Sequence, residues 1–342
     1  MATSEKMREQ LGTVVPVWYP DTMPEDEMRG YLAATLADAE LFLAPERVAL
    51  VVDGCPRALA PTYQVAEAFA ERAGAEPQVI VKPRNEGKAA AVCEGFERLL
   101  ADDGVTAVCV RDGDADHDIY DLPQMFRLLA QMRDQESSED VFVVGCRSSV
   151  TRPLGFARGA LEEVLNRVTM AAVNHHLAAD GRAVDERYTG RAGPFPDFQS
   201  GYKLYTRSAA QTVIQGLRAA DENRGDLDVM RWGSESVTTV ELLARGFIPG
   251  AIYRLTWDGQ PQTTFDTSNL LDHFARELIW IFDRLQTPVE TATVILDNAL
   301  SASEYTTAPD GEGRLAAIRE RVMAGYFPDA DAEPPAWGGD FI

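Results

Sequence analysis

Positive charge is scarce in this sequence. Its 342 residues include 32 Lys and Arg against 54 Asp and Glu, a formal charge of −22. Lysine is almost missing: only Lys6, Lys82, Lys88 and Lys203 occur. So acidic a surface argues against sequence-independent nucleic-acid binding and against anionic membranes, which both need clustered cations. Cysteine and histidine are equally rare. Cys55, Cys93, Cys109 and Cys146 show no paired metal-ligand spacing and lie in or beside apolar segments, so they read as reduced core thiols. His117, His175, His176 and His273 form no zinc pattern. No uninterrupted apolar run approaches a membrane span, so no integral membrane segment is expected. The opening Met-Ala-Thr-Ser-Glu-Lys lacks the basic-then-apolar pattern of a signal peptide, and a cytoplasmic setting is expected. P-loop spacing, a G-x-G-x-x-G after the first strand, a G-x-S-x-G elbow and internal repeats are all absent.

What is present is a globular composition, 45% hydrophobic and 25% charged. Strand-like runs fall at 13–18, 48–53, 78–82, 105–110 and 141–145. Helical stretches lie between them, near 25–43, 60–73, 87–102 and 121–134. Such alternation predicts an α/β fold, a mostly parallel sheet with helices on both faces. Residues 158–178 carry Leu161, Val164, Leu165, Val168 and Ala172 at helical spacing. The alternation stops after about Thr256. Three further helices are predicted at 268–286, 289–302 and 312–325, then a loosely ordered tail from Pro328. The expected organisation is a domain over residues 1–255 and a helical C-terminal extension over 256–342. The extension could cover a cleft or make a homodimer contact; packing alone is the default.

The most informative stretch follows the apolar run Val105–Val110. It reads Arg111-Asp112-Gly-Asp114-Ala-Asp116-His117-Asp118. Carboxylates at a strand's C-terminal end stand where open α/β sheets bind ligands. Mg²⁺ favours one or two carboxylates together with substrate phosphates. An EF-hand loop would need Gly at its sixth position and Glu at its twelfth; counted from Asp112, these hold His117 and Pro123. A solvated acidic turn is the plain alternative.

Other segments are weaker alone. Asp53 ends the second strand and could hydrogen-bond a base or ribose, or cap the turn at Gly54. Arg84-Asn85-Glu86-Gly87-Lys88 leads into a helix, whose free N–H groups and dipole favour phosphate. Asp197-Phe-Gln199-Ser200-Gly201-Tyr-Lys203 follows a loop rich in Gly, Pro, Arg and Asp. Its Ser-Gly allows close backbone approach. Glu235 starts a predicted helix running to Arg245-Gly246, as a base or as a dipole cap.

Together these pieces resemble the GT-A glycosyltransferases of the family 2 type, most closely the polyprenyl-phosphate sugar synthases. The resemblance rests on Pro16, Val-Val-Asp53-Gly54, Asn85-x-Gly87-Lys88, Asp112-Gly-Asp114-Ala-Asp116-His117 and Val-Val-Gly145-Cys-Arg147. Asp197-x-Gln199-Ser200-Gly201-Tyr-Lys203 and Glu235 through Gly246 complete it, over roughly residues 10–255. It implies a GT-A fold and an inverting hexosyltransferase using a UDP- or GDP-linked sugar with Mg²⁺ or Mn²⁺. Asp112, Asp114 and Asp116 would hold the metal. Pro16, Asp53, Asn85, Lys88, Asp112, Arg147, Gln199, Ser200 and Gly201 would bind the donor, with Arg158 also near phosphates or the acceptor. Asp114 and Glu235 would be catalytic, Glu235 as the base if the acceptor is a hydroxyl. The chain departs from the family at Asp53-Gly54-Cys55, in the loop Arg182 to Arg191, and at Leu255-Thr-Trp257-Asp-Gly-Gln. These departures and the acidic composition point to a soluble small-molecule or glycan acceptor. A polyprenyl phosphate acceptor, or a non-catalytic nucleotide-sugar- or glycan-binding role, are the alternatives.

Overall fold

Strand β1 (Leu11–Val17) lies at the heart of the sheet, with β2 (Val48–Asp53) and β3 (Gln78–Lys82) stepping away on one side. On the other side follow β4 (Ala107–Val110), β6 (Lys203–Thr206), β5 (Val141–Arg147) and β7 (Ile248–Arg254). β6 pairs antiparallel with both β4 and β5; the remaining pairings are parallel. This computed structural model describes residues 3–190, 195–256 and 270–327. The tail from residue 328, the end of the Arg-rich loop at 191–194 and the segment 257–260 lie outside the described residues.

The strands read as near-continuous apolar runs because both faces of the sheet are covered. Alternate residues feed two cores. Val14, Ala49, Val51, Val108 and Phe142 join one, while Val15, Val17, Leu50, Val52 and Val143 join the other. The first core also takes Leu161, Val164 and Leu165 of helix Phe156–Ala178, and Phe274, Leu278 and Ile281 of helix Leu270–Arg284. The C-terminal helices therefore share a core with the sheet. No described helix is long and apolar enough to cross a membrane.

Several boundaries differ from those expected. The helix expected over 25–43 ends at Thr35, because Asp38 adopts a left-handed backbone (φ 57°) before a short turn at Ala39–Leu41. β6, β7 and the helix Arg207–Arg224 were not predicted. β6 is four residues long, too short to show alternation. β7 contains Pro249 and Gly250, which a strand tolerates at the sheet edge where β7 lies.

Two topological facts position the site. The strand order reverses between β1 and β4, so a crevice opens at their carboxyl ends. Antiparallel β6 delivers its N-terminal end to that same edge, placing Gln199-Ser200-Gly201 beside the turn after β4.

Candidate active site

Every residue given a donor, metal or catalytic role from the sequence lines one cleft of about 470 Å³ at this edge. The acidic turn is laced from several sides. His117 Nδ1 accepts the Asp112 N–H at 2.9 Å, so the proton of the neutral imidazole sits on Nε2. Burial, then Arg254, holds the His117 pKa well below its usual value. The ring stacks on Tyr202 at 4.7 Å. Thr35 Oγ1 accepts the Ala115 N–H at 3.1 Å, and Tyr19 O–H donates to the Gly113 carbonyl at 2.5 Å. Arg111 donates to the His117 carbonyl at 2.7 Å. A turn held this way presents its carboxylates preorganised.

The three aspartates have different surroundings. Asp112 Oδ1 lies 2.7 Å from Lys88 Nζ. Asp116 Oδ2 accepts from Arg254 Nη2 at 2.9 Å. Burial works to raise the Asp116 pKa, but the Arg254 guanidinium helps to outweigh it and bring it below the usual carboxylate range. Asp114 has no ion pair among the described residues. Burial and the neighbouring Asp112 push its carboxyl up to about 7.

Lys88 opens the helix Lys88–Leu100, after Gly87. Gly87 holds φ at 102°, and a Cβ there would meet the Met230 carbonyl at 2.3 Å. Only glycine lets the helix start this close to its neighbour. Asp53 secures the start: its two oxygens accept the Glu86 and Gly87 N–H groups at 3.0 and 2.8 Å, with Lys82 Nζ at 3.6 Å. Asn85 Oδ1 also accepts the Gly87 N–H, at 3.1 Å. Asp53 thus orients the loop before Lys88.

Glu235 directly precedes the helix Ser236–Ala244, a boundary close to the expected one. Its Oε1 accepts from Lys88 Nζ at 2.6 Å, and its Oε2 accepts from the Ser234 hydroxyl. Lys203 Nζ donates to its carbonyl at 3.1 Å. Burial would raise the Glu235 pKa, but Lys88 and Lys203 outweigh it and keep Glu235 below its ordinary value. A Cβ on Gly201 would lie 3.0 Å from Lys88 Nζ and 3.2 Å from both Asp112 Oδ2 and Glu235 Oε1. The absent side chain at Gly201 is what lets these charges converge.

Arg147 lines the cleft, yet its guanidinium is already engaged. It reaches Asp197 through Nε and Nη2 at 2.7 Å each, and Glu162 through Nη2 at 2.6 Å. Arg158 also pairs with Glu162, at 2.9 Å. Gln199 Nε2 donates to Ser236 Oγ at 3.0 Å, and Ser200 Oγ to the Gly145 carbonyl at 2.7 Å.

Five further residues at the site carry no role from the sequence: Arg254, Lys203, Glu162, His273 and Glu277. Two of them carried a signal. Glu162 lies between Leu161 and Leu165, and Glu277 between Phe274 and Leu278, so each puts a carboxylate inside an apolar helical stripe. Buried carboxylates need partners, which makes such a break informative.

Among the described residues, no three His, Cys, Asp or Glu side chains converge as a group able to hold a metal ion alone. The donor set instead suits a hard cation shared with a ligand. Asp112 and Asp114 supply two carboxylates, one of them destabilised by the other. Mg²⁺ commonly completes such a pair with phosphate oxygens and water.

No protein-family model matches the chain, and no curated protein matches it.

Proposed function

We propose that this chain is a metal-dependent glycosyltransferase of the GT-A fold. It would transfer a sugar, with inversion, from a UDP- or GDP-linked donor to a soluble acceptor. The observation that carries this reading is the meeting of Lys88 with Asp112 and Glu235, at 2.7 and 2.6 Å, at the edge where β1 and β4 end. That arrangement gathers the Lys88 ammonium and the Asp112 and Glu235 carboxylates in one cleft, which supports a phosphate-binding cation beside a candidate base. The sheet order and the reversed β6 support the resemblance to the GT-A fold.

In this reading the nucleoside lies toward Pro16, Asp53 and Asn85. The diphosphate lies against Lys88 and the N-terminus of its helix, where free N–H groups and the dipole favour negative charge. Mg²⁺ or Mn²⁺, held by Asp112 and Asp114, would neutralise charge on the leaving nucleoside diphosphate. Asp116, fixed by Arg254, keeps the turn in shape. The acceptor hydroxyl oxygen bonds to the anomeric carbon as the bond to the diphosphate oxygen breaks on the opposite face. The hydroxyl proton passes to the Glu235 carboxylate, which Lys88 and Lys203 keep ionised. Arg147, Asp197 and Glu162 form the buried frame behind the site.

The test is thermal shift and slow donor hydrolysis over a panel of UDP- and GDP-sugars, with Mg²⁺, Mn²⁺ or chelator. Metal-dependent stabilisation and hydrolysis of one donor support the reading. Metal-dependent binding without hydrolysis or transfer would favour a non-catalytic nucleotide-sugar-binding protein. No response to any donor contradicts both.

A further inference from the structure

The cleft continues past Glu235 to a wall built by helix Leu270–Arg284, outside the stretch that carries the family resemblance. Glu277 lies in this wall, 4% exposed. His273 Nε2 is 2.9 Å from its Oε1, and the Ser236 hydroxyl donates to its Oε2. Gln199 Nε2 donates to Ser236 Oγ at 3.0 Å. A polar chain therefore runs Gln199–Ser236–Glu277–His273, passing through Ser236, the residue that follows Glu235. Apolar surface faces the same space from Phe274, Leu165, Leu154 and Trp232. Trp232 is fixed by edge-on contacts with Trp280 and His273, at 6.3 and 6.4 Å.

A carboxylate accepts several hydrogen bonds, so Glu277 can take hydroxyl donors beyond Ser236 and His273. Apolar walls with a few convergent polar groups are the usual form of a small-molecule pocket. A polyhydroxylated molecule matches both features: hydroxyls for the polar chain, C–H faces for the aromatic and aliphatic surface. Negative charge on the acceptor is disfavoured here. Glu277 repels it, Arg158 is paired with Glu162, and Arg231 lies 3.0 Å from Asp228.

We infer that Glu277 and His273 form the acceptor subsite, and that the acceptor is a neutral polyhydroxylated molecule, a sugar or polyol. This inference rests on the proposed glycosyltransferase reading. Ser236, the residue after Glu235, ties this subsite to the helix that Glu235 precedes, and both line one cleft.

The experiment has two arms. The first is metal-dependent stabilisation by a UDP- or GDP-sugar; its failure overturns the glycosyltransferase reading and this inference with it. The second, run with a donor that passes, compares initial rates of transfer to glucose, mannitol, glucose 6-phosphate and a short-chain polyprenyl phosphate. The expected result is transfer to the neutral compounds. In Glu277→Gln, KM for the neutral acceptor should rise about tenfold, as for loss of a charge-assisted hydrogen bond, with kcat within about twofold. The donor-induced thermal shift should not move. His273→Gln should act in the same direction, and it serves as the test if Glu277→Gln fails to fold. Preference for the phosphorylated compounds, or a rise in donor KM in place of acceptor KM, would overturn the inference while leaving the donor site standing.

Discussion

Lys88 Nζ sits 2.6 Å from Glu235 Oε1, although 147 residues separate the two in the chain. The same ammonium is 2.7 Å from Asp112 Oδ1, so one cation serves the acidic turn and the candidate base. Burial works to lower the Lys88 pKa, but Asp112 and Glu235 hold it above its ordinary value. In a chain with four lysines, Lys88 and Lys203 both contact Glu235 and Lys82 lies by Asp53. A compact ammonium on a flexible stem suits such a crowded junction better than a planar guanidinium.

Lys88→Met should therefore weaken nucleoside diphosphate binding by about tenfold or more, the usual cost of a lost charge-assisted hydrogen bond. Lys88→Arg should restore little of it. Calorimetric titration with UDP and GDP checks this. Unchanged affinity in Lys88→Met would remove the ammonium from the phosphate site.

Asp114 makes stability depend on pH. Its folded pKa of about 7 lies above the ordinary value of 3.8, through burial and Asp112. The folded state thus binds this proton more tightly than the unfolded state does. The stabilising contribution is complete below the ordinary value and fades as pH rises toward about 7. Asp114→Asn should flatten the stability profile between those limits. It should also exceed the parent in stability at pH 8, on the order of 2 kcal/mol. Urea unfolding across that range measures it; parallel profiles for parent and variant would contradict the assignment.

Gly201→Ala should separate chemistry from folding. The added methyl meets the ends of three flexible charged side chains at 3.0 to 3.2 Å, not backbone. Stability should change by less than about 1 kcal/mol, while kcat/KM should fall about tenfold because the convergence is disturbed. Melting temperature and steady-state kinetics on one preparation decide it. A large loss of stability with normal kcat/KM would show that Gly201 serves the fold.

Arg147→Met should behave in the opposite way. It strands Asp197, whose side chain is 6% exposed, and takes one guanidinium from the equally buried Glu162, which keeps Arg158. Breaking a buried pair from one side costs about 3–5 kcal/mol. Replacing all three together, with Asp197→Asn and Glu162→Gln, should recover much of that cost. Equal losses in the single and triple variants would show that packing around Arg147 matters more than its charge.

Where local sequence governs structure, the sequence was legible. Val48–Asp53 and Gln78–Lys82 form strands over the expected residues, because apolar runs bounded by turn residues decide them. The amphipathic stripes of the C-terminal helices fix their extents equally well. β6 was not legible, since four residues become a strand only through β4 and β5 on either side. Its reversal is nevertheless what carries Gly201 to Asp112. The second face of the site escaped for a related reason. Arg254 meets the acidic turn and Glu277 meets Ser236 through tertiary packing, with no fixed spacing along the chain, and His273 joins the site beside Glu277 on the same helix. Asp53 was legible as a residue of the cleft edge, but its hold on the Gly87 loop depends on the pairing of β2 with β3.

The central claim is that Asp112 and Asp114 bind a nucleoside diphosphate through a divalent cation. Calorimetric titration of the chain with UDP and with GDP, each with Mn²⁺ and then with chelator, tests it most directly, alongside Asp114→Asn. The account predicts that one of the two binds only with the metal, and at least about tenfold more weakly to Asp114→Asn. Binding that survives both chelation and the substitution, or no binding of either nucleotide with metal present, would contradict it.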